Sequence, residues 1–386
     1  MSLSIKSYYE KALSLFRVRV PIGGLEISDS ALRLVVFDGR AWQMKSVRLV
    51  PGVVESNRVK DKVKFLEALK SLRTEVFGNS RIRERKSVIA VLSSLNIYSQ
   101  VFSLPVVRGQ SLDEAIDLNV KMVSPIDINL AYSGWQVLGE DQSTLRLDVL
   151  ASFVERSIVD EIGTLLSDAG FLMMAVESRG LSLTRVVREK ASGFDVSQPS
   201  IIVHLDAVGL EIVVVRNGQL YFQYFNYWRD LVNDKQQVTL ELFQSAIVKN
   251  LHQVMNFYSQ HWAEPIAAVW VIAPNLEGEV SKTISENFSI TPRIVKLNDF
   301  PDLSSEWFVV FGAGVRGAQP RWKDNEISLL GISSEEEFRE EQFINFMKFW
   351  RFVIPIGLSI LFLAFIGGKM LLTRTQASIE ASLLSQ

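Results

Sequence analysis

Apolar and polar residues first alternate at the period of a β-strand, in three short runs, Ile22–Ile27, Ala31–Phe37 and Trp42–Val50. Asp38-Gly39 separates the last two and predicts a hairpin, because this pair accepts the left-handed backbone of a tight turn. The period then lengthens. Val63, Leu66, Leu69, Leu72, Val76 and Phe77 share one side of a helix predicted over Val59–Phe77. Buried strands are predicted at Ser87–Leu95 and Ile97–Leu104.

The same succession returns further along. A shift of 178 residues lays Leu25–Val36 on Val203–Val214, with Leu32/Leu210, Val35/Val213 and Val36/Val214 identical. The turn Asn217-Gly218 answers Asp38-Gly39 one residue late, and a third strand, Gln219–Phe225, follows it. A helix over Thr239–Ser259 and a strand over Ala267–Ala273 complete the copy. Five elements repeated in order predict two similar lobes. Between the copies lie a helix (Gln110–Val123, with Leu112, Ile116, Val120 and Val123 in phase), strands at Tyr132–Val137 and Leu145–Phe153, and a helix at Ser157–Ala169. They predict an inserted α+β subdomain. Glu177–Ala191 reads as a helix returning to the first lobe.

Near the end the pattern loses its polar face. Phe352–Gly368 holds 17 consecutive residues without a charge, flanked by Phe349 and Trp350 on one side and by Lys369, Met370, Leu371 and Leu372 on the other. A bilayer core needs roughly 20 apolar residues, so one transmembrane helix is predicted. The opening segment, Met1–Phe16, has a weakly amphipathic face but no apolar core of signal-peptide length. With no export signal, the large N-terminal part is expected in the cytosol. Basic residues on the two flanks of the span, Lys348 and Arg351 against Lys369 and Arg374, do not decide its orientation.

Composition narrows the function. A formal charge of −2 over 386 residues argues against a phosphate-neutralising nucleic-acid surface. There is no cysteine, which excludes disulfides and thiolate metal sites. His204, His252 and His261 are not spaced as metal ligands on one helix face. Gly312-Ala313-Gly314 lacks the context of a dinucleotide-binding turn. The aromatic run Tyr221–Trp228 reads as a strand with one buried face, or as a partner surface.

Duplicated three-strand meanders with an inserted α+β subdomain resemble the actin-like, ribonuclease H-like ATPase fold. The order of parts resembles PilM, the type IV pilus assembly family related to FtsA. The segments that carry this are GLEISDSALRLVVFDG (24–39), VKMVSPIDINLAYSGWQVLG (120–139), LDVLASFVERSIVDEIGTLLSDAGFLMMAVESRGLSLTRVV (147–187), IIVHLDAVGLEIVVVRNGQLYF (201–222) and WFVVFGAGVRG (307–317). The resemblance covers residues 20–318 and implies a nucleotide cleft between two hydroxyl- and glycine-bearing hairpins. The matching positions depart from that pattern. Glu26 stands for the metal-associated aspartate, and Ser28, followed by Ser30, stands where glycine is expected. In the second hairpin His204 replaces an aspartate and Asp206 precedes Gly209. Tyr227-Trp228 and Pro274–Gly278 replace the remaining glycine clusters. An acidic cradle poor in glycine opposes a triphosphate. The cleft is therefore expected to be crowded and acidic, with no cofactor and no turnover in place of ATP and magnesium. In this the chain resembles GspL of type II secretion, a degenerate actin-like region on one membrane span.

Ile327-Ser328-Leu329-Leu330 resembles the N-terminal peptide of PilN, the membrane partner of PilM, with Ser328 for asparagine and Gly331 for proline. The resemblance implies an extended strip docked in a groove of the actin-like domain, joined here in one polypeptide. The expected organisation is an amphipathic segment (1–19), lobe 1 (20–109 and 171–197), the insertion (110–170), lobe 2 (198–318), peptide and linker (319–348), the span (349–372) and a periplasmic tail (373–386). PilN and GspL carry a folded periplasmic domain after the span; the last 17 residues here, Met370–Gln386, are expected to reflect either a truncated chain or a lineage without that domain. The implied function is an inner-membrane scaffold of a type IV pilus or type II secretion-like machine, homo- or hetero-oligomeric, that couples the cytoplasmic motor and platform to periplasmic components, with platform proteins, a PilO-like protein and a motor ATPase as partners. The alternatives are a nucleotide-binding switch and an FtsA-like membrane-attached filament.

Overall fold

The computed structural model describes residues 21–78, 85–106, 110–141, 145–231, 239–320, 324–330, 350–351 and 353–375. Each lobe is built outward from one fully buried strand. In the first this is β1 (Gly23–Ile27), antiparallel to β2 (Ala31–Phe37), which pairs in turn with β3 (Trp42–Arg48). After the small β4–β5 hairpin (Val54–Glu55, Arg58–Val59) comes helix α1 (Lys62–Phe77). Strand β6 (Lys86–Leu92) then returns parallel to β1. In the second lobe β11 (Ser200–Leu205) pairs antiparallel with β12 (Gly209–Arg216) and parallel with β14 (Ala268–Ile272). Strand β13 (Gln219–Tyr227) lies outside β12.

The offset seen in the sequence survives as register. Leu25 faces Leu34 across the first hairpin, and Val203 faces Ile212 across the second. With β10 (Phe171–Ser178) and β15 (Pro292–Ile294) at corresponding edges, both sheets run in one order, β10-β6-β1-β2-β3 and β15-β14-β11-β12-β13, so the lobes are structural copies. Strands apolar on both faces are what a sheet covered by helices on both sides requires.

Several boundaries differ from the sequence expectation, each for a local reason. Helix α1 starts at Lys62 because the Asp61 side chain accepts from the Lys64 amide and caps it; Val59 belongs to β5. Phe65, Leu69 and Leu72 form its buried side, while Val63 is 68% exposed. The segment expected to be helical from Glu177 is first a strand, β10 (Phe171–Ser178), buried at every residue on the outer edge of the lobe 1 sheet. Ser178 then caps helix α4 (Arg179–Lys190) by accepting from the Leu181 amide.

The insertion contains β7 (Ile97–Pro105), expected in lobe 1, which pairs instead with β9 (Arg146–Glu155); β8 (Ala131–Asp141) lies on the other side of β9. Helix α2 (Gln110–Val123) buries Ile116 and Val120 against Leu104, Val149 and Phe153. Helix α3 (Arg156–Asp168) buries Ile158, Ile162, Leu165 and Leu166, the face its periodicity predicted. Lobe 2 continues with α5 (Leu240–His261), α6 (Glu277–Asn287) and the short β15 (Pro292–Ile294).

Helix α7 (Phe308–Ala318), assigned by sequence to lobe 2, packs on lobe 1. Phe311 meets Trp42 of β3 at 4.8 Å between ring centroids, and the Val309 carbonyl accepts from Ser182 of α4 at 2.6 Å. The glycines of its FGAGVRG run serve this packing: a Cβ on Gly314 would meet Trp42 and Val35, and one on Gly312 would meet the Ser182 backbone.

Residues 21–334 form one unit. The C-terminal helix, Val353–Thr375, belongs to a second. Its most apolar 18-residue stretch has a mean hydropathy of 2.0, and its 23 residues, at 1.5 Å per residue, extend about 34 Å, enough to cross a bilayer core. Leu363 and Phe365 are 67% and 72% exposed, as a lipid-facing surface requires. Met1–Phe16, the polar stretch 333–345 and the tail beyond Thr375 lie outside the described residues.

Candidate functional site

Two sites follow from this arrangement, the cleft between the lobes and a groove occupied by residues 324–330.

In the cleft, the hairpin amides that would meet phosphate are already satisfied. Ser28 Oγ accepts from the Ala31 amide at 3.1 Å and donates to the Ala31 carbonyl at 2.8 Å; Ser30 Oγ lies 3.4 Å from it. In the second hairpin Asp206 Oδ1 accepts from the amides of Val208 and Gly209 at 2.8 and 3.0 Å. Gly209 is a packing glycine, since a Cβ there would collide with Asn226 and Phe225 of the neighbouring strand. Gly278 lies in α6, where a Cβ would touch nothing within 4 Å, so it brings no backbone close to a ligand.

The countercharge to these acids is Arg179, 1% exposed at the first turn of α4. Its guanidinium lies 2.9 Å from Asp206, 3.8 Å from Glu211 and 3.8 Å from Glu26, and so joins the two lobes at the position between their hairpins. Ser94 of lobe 1 donates to Glu211 of lobe 2. Glu26 also accepts from Arg33 at 3.2 Å. Burial raises the Glu26 carboxyl above its ordinary range and pushes Glu211 up to about 7, against the pull of Arg179. Burial likewise holds His204 neutral, its imidazole lowered to about 3. The sequence expectation of a crowded cleft fails on volume: a cavity of about 680 Å³ opens beside these residues, lined also by Trp228, Phe243 and Leu276. Among the described residues, no cluster of three or more acidic or histidine side chains is arranged to hold a metal ion. His252 stacks on Phe288, and His261 lies against Phe257.

The groove is formed by β10, β8, α4 and α7. The Leu329 amide donates to the Val176 carbonyl at 2.8 Å, and the Ile327 amide donates to Gln136 Oε1 at 3.1 Å. Ile327 and Leu329 are 1% and 0% exposed, Leu330 is half-buried, and Ser328 Oγ is buried without a partner. Gly134 admits this strip: a Cβ there would lie 2.7 Å from the Ser328 carbonyl oxygen.

Under the strip is an ionic network. Arg185 forks onto Glu177 at 2.8 and 2.7 Å and reaches Glu326. Arg316 pairs with Glu177 and with Asp324, and donates to the carbonyls of Ile327 and Glu326 at 2.9 and 2.8 Å. Bidentate pairs of this kind are the strong form of the interaction. Arg179, Arg185, Arg316, Gly134 and Gln136 were not singled out by sequence reasoning. The available signal for Arg179 was Glu211, a carboxylate inside the apolar run of β12 and fully buried there, since a buried carboxylate demands a buried cation.

No protein-family model and no curated protein matches the sequence. Among solved structures, the PilM–PilN type IV pilus biogenesis complex is similar with a TM-score of 0.62 and 15% identity, over 78% of this chain and 100% of that one. The cytoplasmic domain of EpsL, an inner-membrane component of the type II secretion system of Vibrio cholerae, aligns with a TM-score of 0.44 and 11% identity, over 81% and 99%. The ethanolamine utilization protein EutJ from Carboxydothermus hydrogenoformans gives 0.42 and 11%, over 80% and 98%. Residues 21–330 thus carry the actin-like fold seen in PilM, followed in the chain by an apolar helix long enough to cross a membrane.

Proposed function

We propose that this chain is an inner-membrane scaffold of a type IV pilus or type II secretion-like machine, with its actin-like head on the cytoplasmic side. The observation that carries this reading is the strip 326–330, seated in the groove of the head and leading on to the only helix among the described residues able to cross a membrane. Tethering makes the docking intramolecular, with an effective concentration on the order of millimolar for a short linker. The head then needs no separate peptide to be joined to its membrane segment. Its expected neighbours are platform proteins, a PilO-like partner and a motor ATPase.

The head works without nucleotide turnover in this proposal. Its hairpin amides are held by Ser28 and Asp206, and a guanidinium takes the place between the hairpins that a metal-bound phosphate would need. The test is affinity purification of the full chain from membranes in mild detergent. Co-purification of a hexameric motor ATPase with pilus or secretion platform subunits is the expected result; division proteins in their place would refute it.

A second reading, a nucleotide-binding switch, is favoured by one observation, the cavity of about 680 Å³ in the cleft. Calorimetric titration of the full chain with Mg-ATP separates the two readings: saturable binding supports the switch.

A further inference from the structure

The cavity beside Arg179 is within the range of small-molecule sites, yet its charge is the reverse of a nucleotide's complement. Four carboxylates line it, Glu26, Asp206, Glu279 and Glu306. Two guanidiniums answer them. Arg33 pairs with Glu26 at 3.2 Å and Glu306 at 3.7 Å; Arg179 pairs with Asp206 at 2.9 Å and with Glu26 at 3.8 Å. The Glu279 side chain has no partner among the described residues. His204, on the same wall and 3% exposed, is uncharged, and its Nδ1 has no hydrogen-bond partner.

The acids alone would make no site. They edge a cavity whose other wall is apolar and fixed. Trp228 packs on Phe243 at 5.5 Å between ring centroids, and its indole Nε1 donates to the Asp206 carbonyl at 2.7 Å, so the ring is held in place. Leu240, Pro274 and Leu276 extend this wall. Such a space takes a body that is apolar along one side and cationic at one end.

We infer that the interlobe cavity is a binding site for a small organic cation, an amine or amidine carried on a flat apolar body. The cationic head would sit toward Glu279 and Glu306, and the body against Trp228 and Phe243. This goes beyond the scaffold reading and does not depend on it.

The test uses the full chain in detergent and the fluorescent probe p-aminobenzamidine, with uncharged p-aminobenzamide as the control. The expected result is saturable binding of the amidine, undetectable binding of the amide, and no competition by Mg-ATP. The double variant E279Q/E306Q should retain its melting temperature and bind the probe at least about tenfold more weakly, since both carboxylates lie on the cavity wall. Ala207→Trp, which fills the cavity from an exposed turn, should abolish binding. Absence of saturable binding, equal binding of amide and amidine, undiminished binding to E279Q/E306Q, or displacement by Mg-ATP would each overturn the inference.

Discussion

The amide of Leu329 donates to the carbonyl oxygen of Val176 at 2.8 Å. Val176 lies in β10, the outer strand of the lobe 1 sheet, so the strip continues that sheet by one bond and covers an edge left open by the fold. Leu329 itself is fully buried. Leu329→Ala removes its side chain from a filled pocket and should lower unfolding stability by about 2–5 kcal/mol. The check is denaturant unfolding of the full chain in detergent, followed by tryptophan fluorescence. An unchanged midpoint would mean that the strip is not held there in solution.

Arg179 is the second joint. Its guanidinium neutralises carboxylates from both lobes while being only 1% exposed. Arg179→Met keeps most of the volume but leaves Asp206, Glu211 and Glu26 facing one another. Removing one partner of a buried ion pair costs about 3–5 kcal/mol, and that loss is expected at pH 7. The loss should shrink at low pH, where the carboxylates take up protons and no longer need the cation. Melting curves of the variant and the parent at pH 4.5 and 7.5 measure both effects.

The two sites respond oppositely to pH. Burial raises Glu211 from 4.5 to about 7, so the fold favours its protonated form. That contribution is complete below about 4.5 and is lost as pH rises through about 7. Glu326 is opposed by burial but held by Arg185, Arg316 and Arg188 at about 2. Its contribution is present above about 4.5 and lost as pH falls through about 2. Glu211→Gln preserves an acceptor for Ser94 and should flatten the decline in melting temperature between pH 5 and 8. Glu326→Gln should leave that limb intact and remove part of the acid limb.

What the sequence disclosed divides along a physical line. Periodicity recovers elements whose faces differ. The two hairpins, α2 and α3 were legible for that reason, and a single offset linked Leu25–Leu34 to Val203–Ile212 before their registers were known. β10 was not legible, because FLMMAVES is buried on both faces and shows no period. Helix α7 was legible as an apolar run, but which lobe it covers is decided by contacts with Trp42 and Ser182 far away in the chain. The strip was singled out through its resemblance to a peptide. Its groove was not, because Gln136, Gly134 and Arg316 are separated by up to 182 residues and each looks ordinary in its own segment.

Gly134 permits a direct test of the strip that leaves every residue of the strip in place. It lies in β8, where a Cβ would stand 2.7 Å from the Ser328 carbonyl oxygen and 2.9 Å from Ile327 Cγ2. Real Cβ atoms do not approach backbone so closely, so strip and strand must separate if a side chain is added. The backbone of Gly134 is not in the left-handed region, so alanine or valine fits the strand itself. Gly134→Val should therefore displace residues 326–330 while β8 stays paired with β9. Displacement exposes Ile327 and Leu329 and breaks the Arg316 bonds to the strip carbonyls. The expected result is rapid proteolysis between residues 324 and 330 in the variant, against protection in the parent. Gly134→Ala should fall between them. If both variants are cleaved as slowly as the parent, the strip tolerates the added atoms by a shift too small to free it, and the close approach at Gly134 does not govern docking.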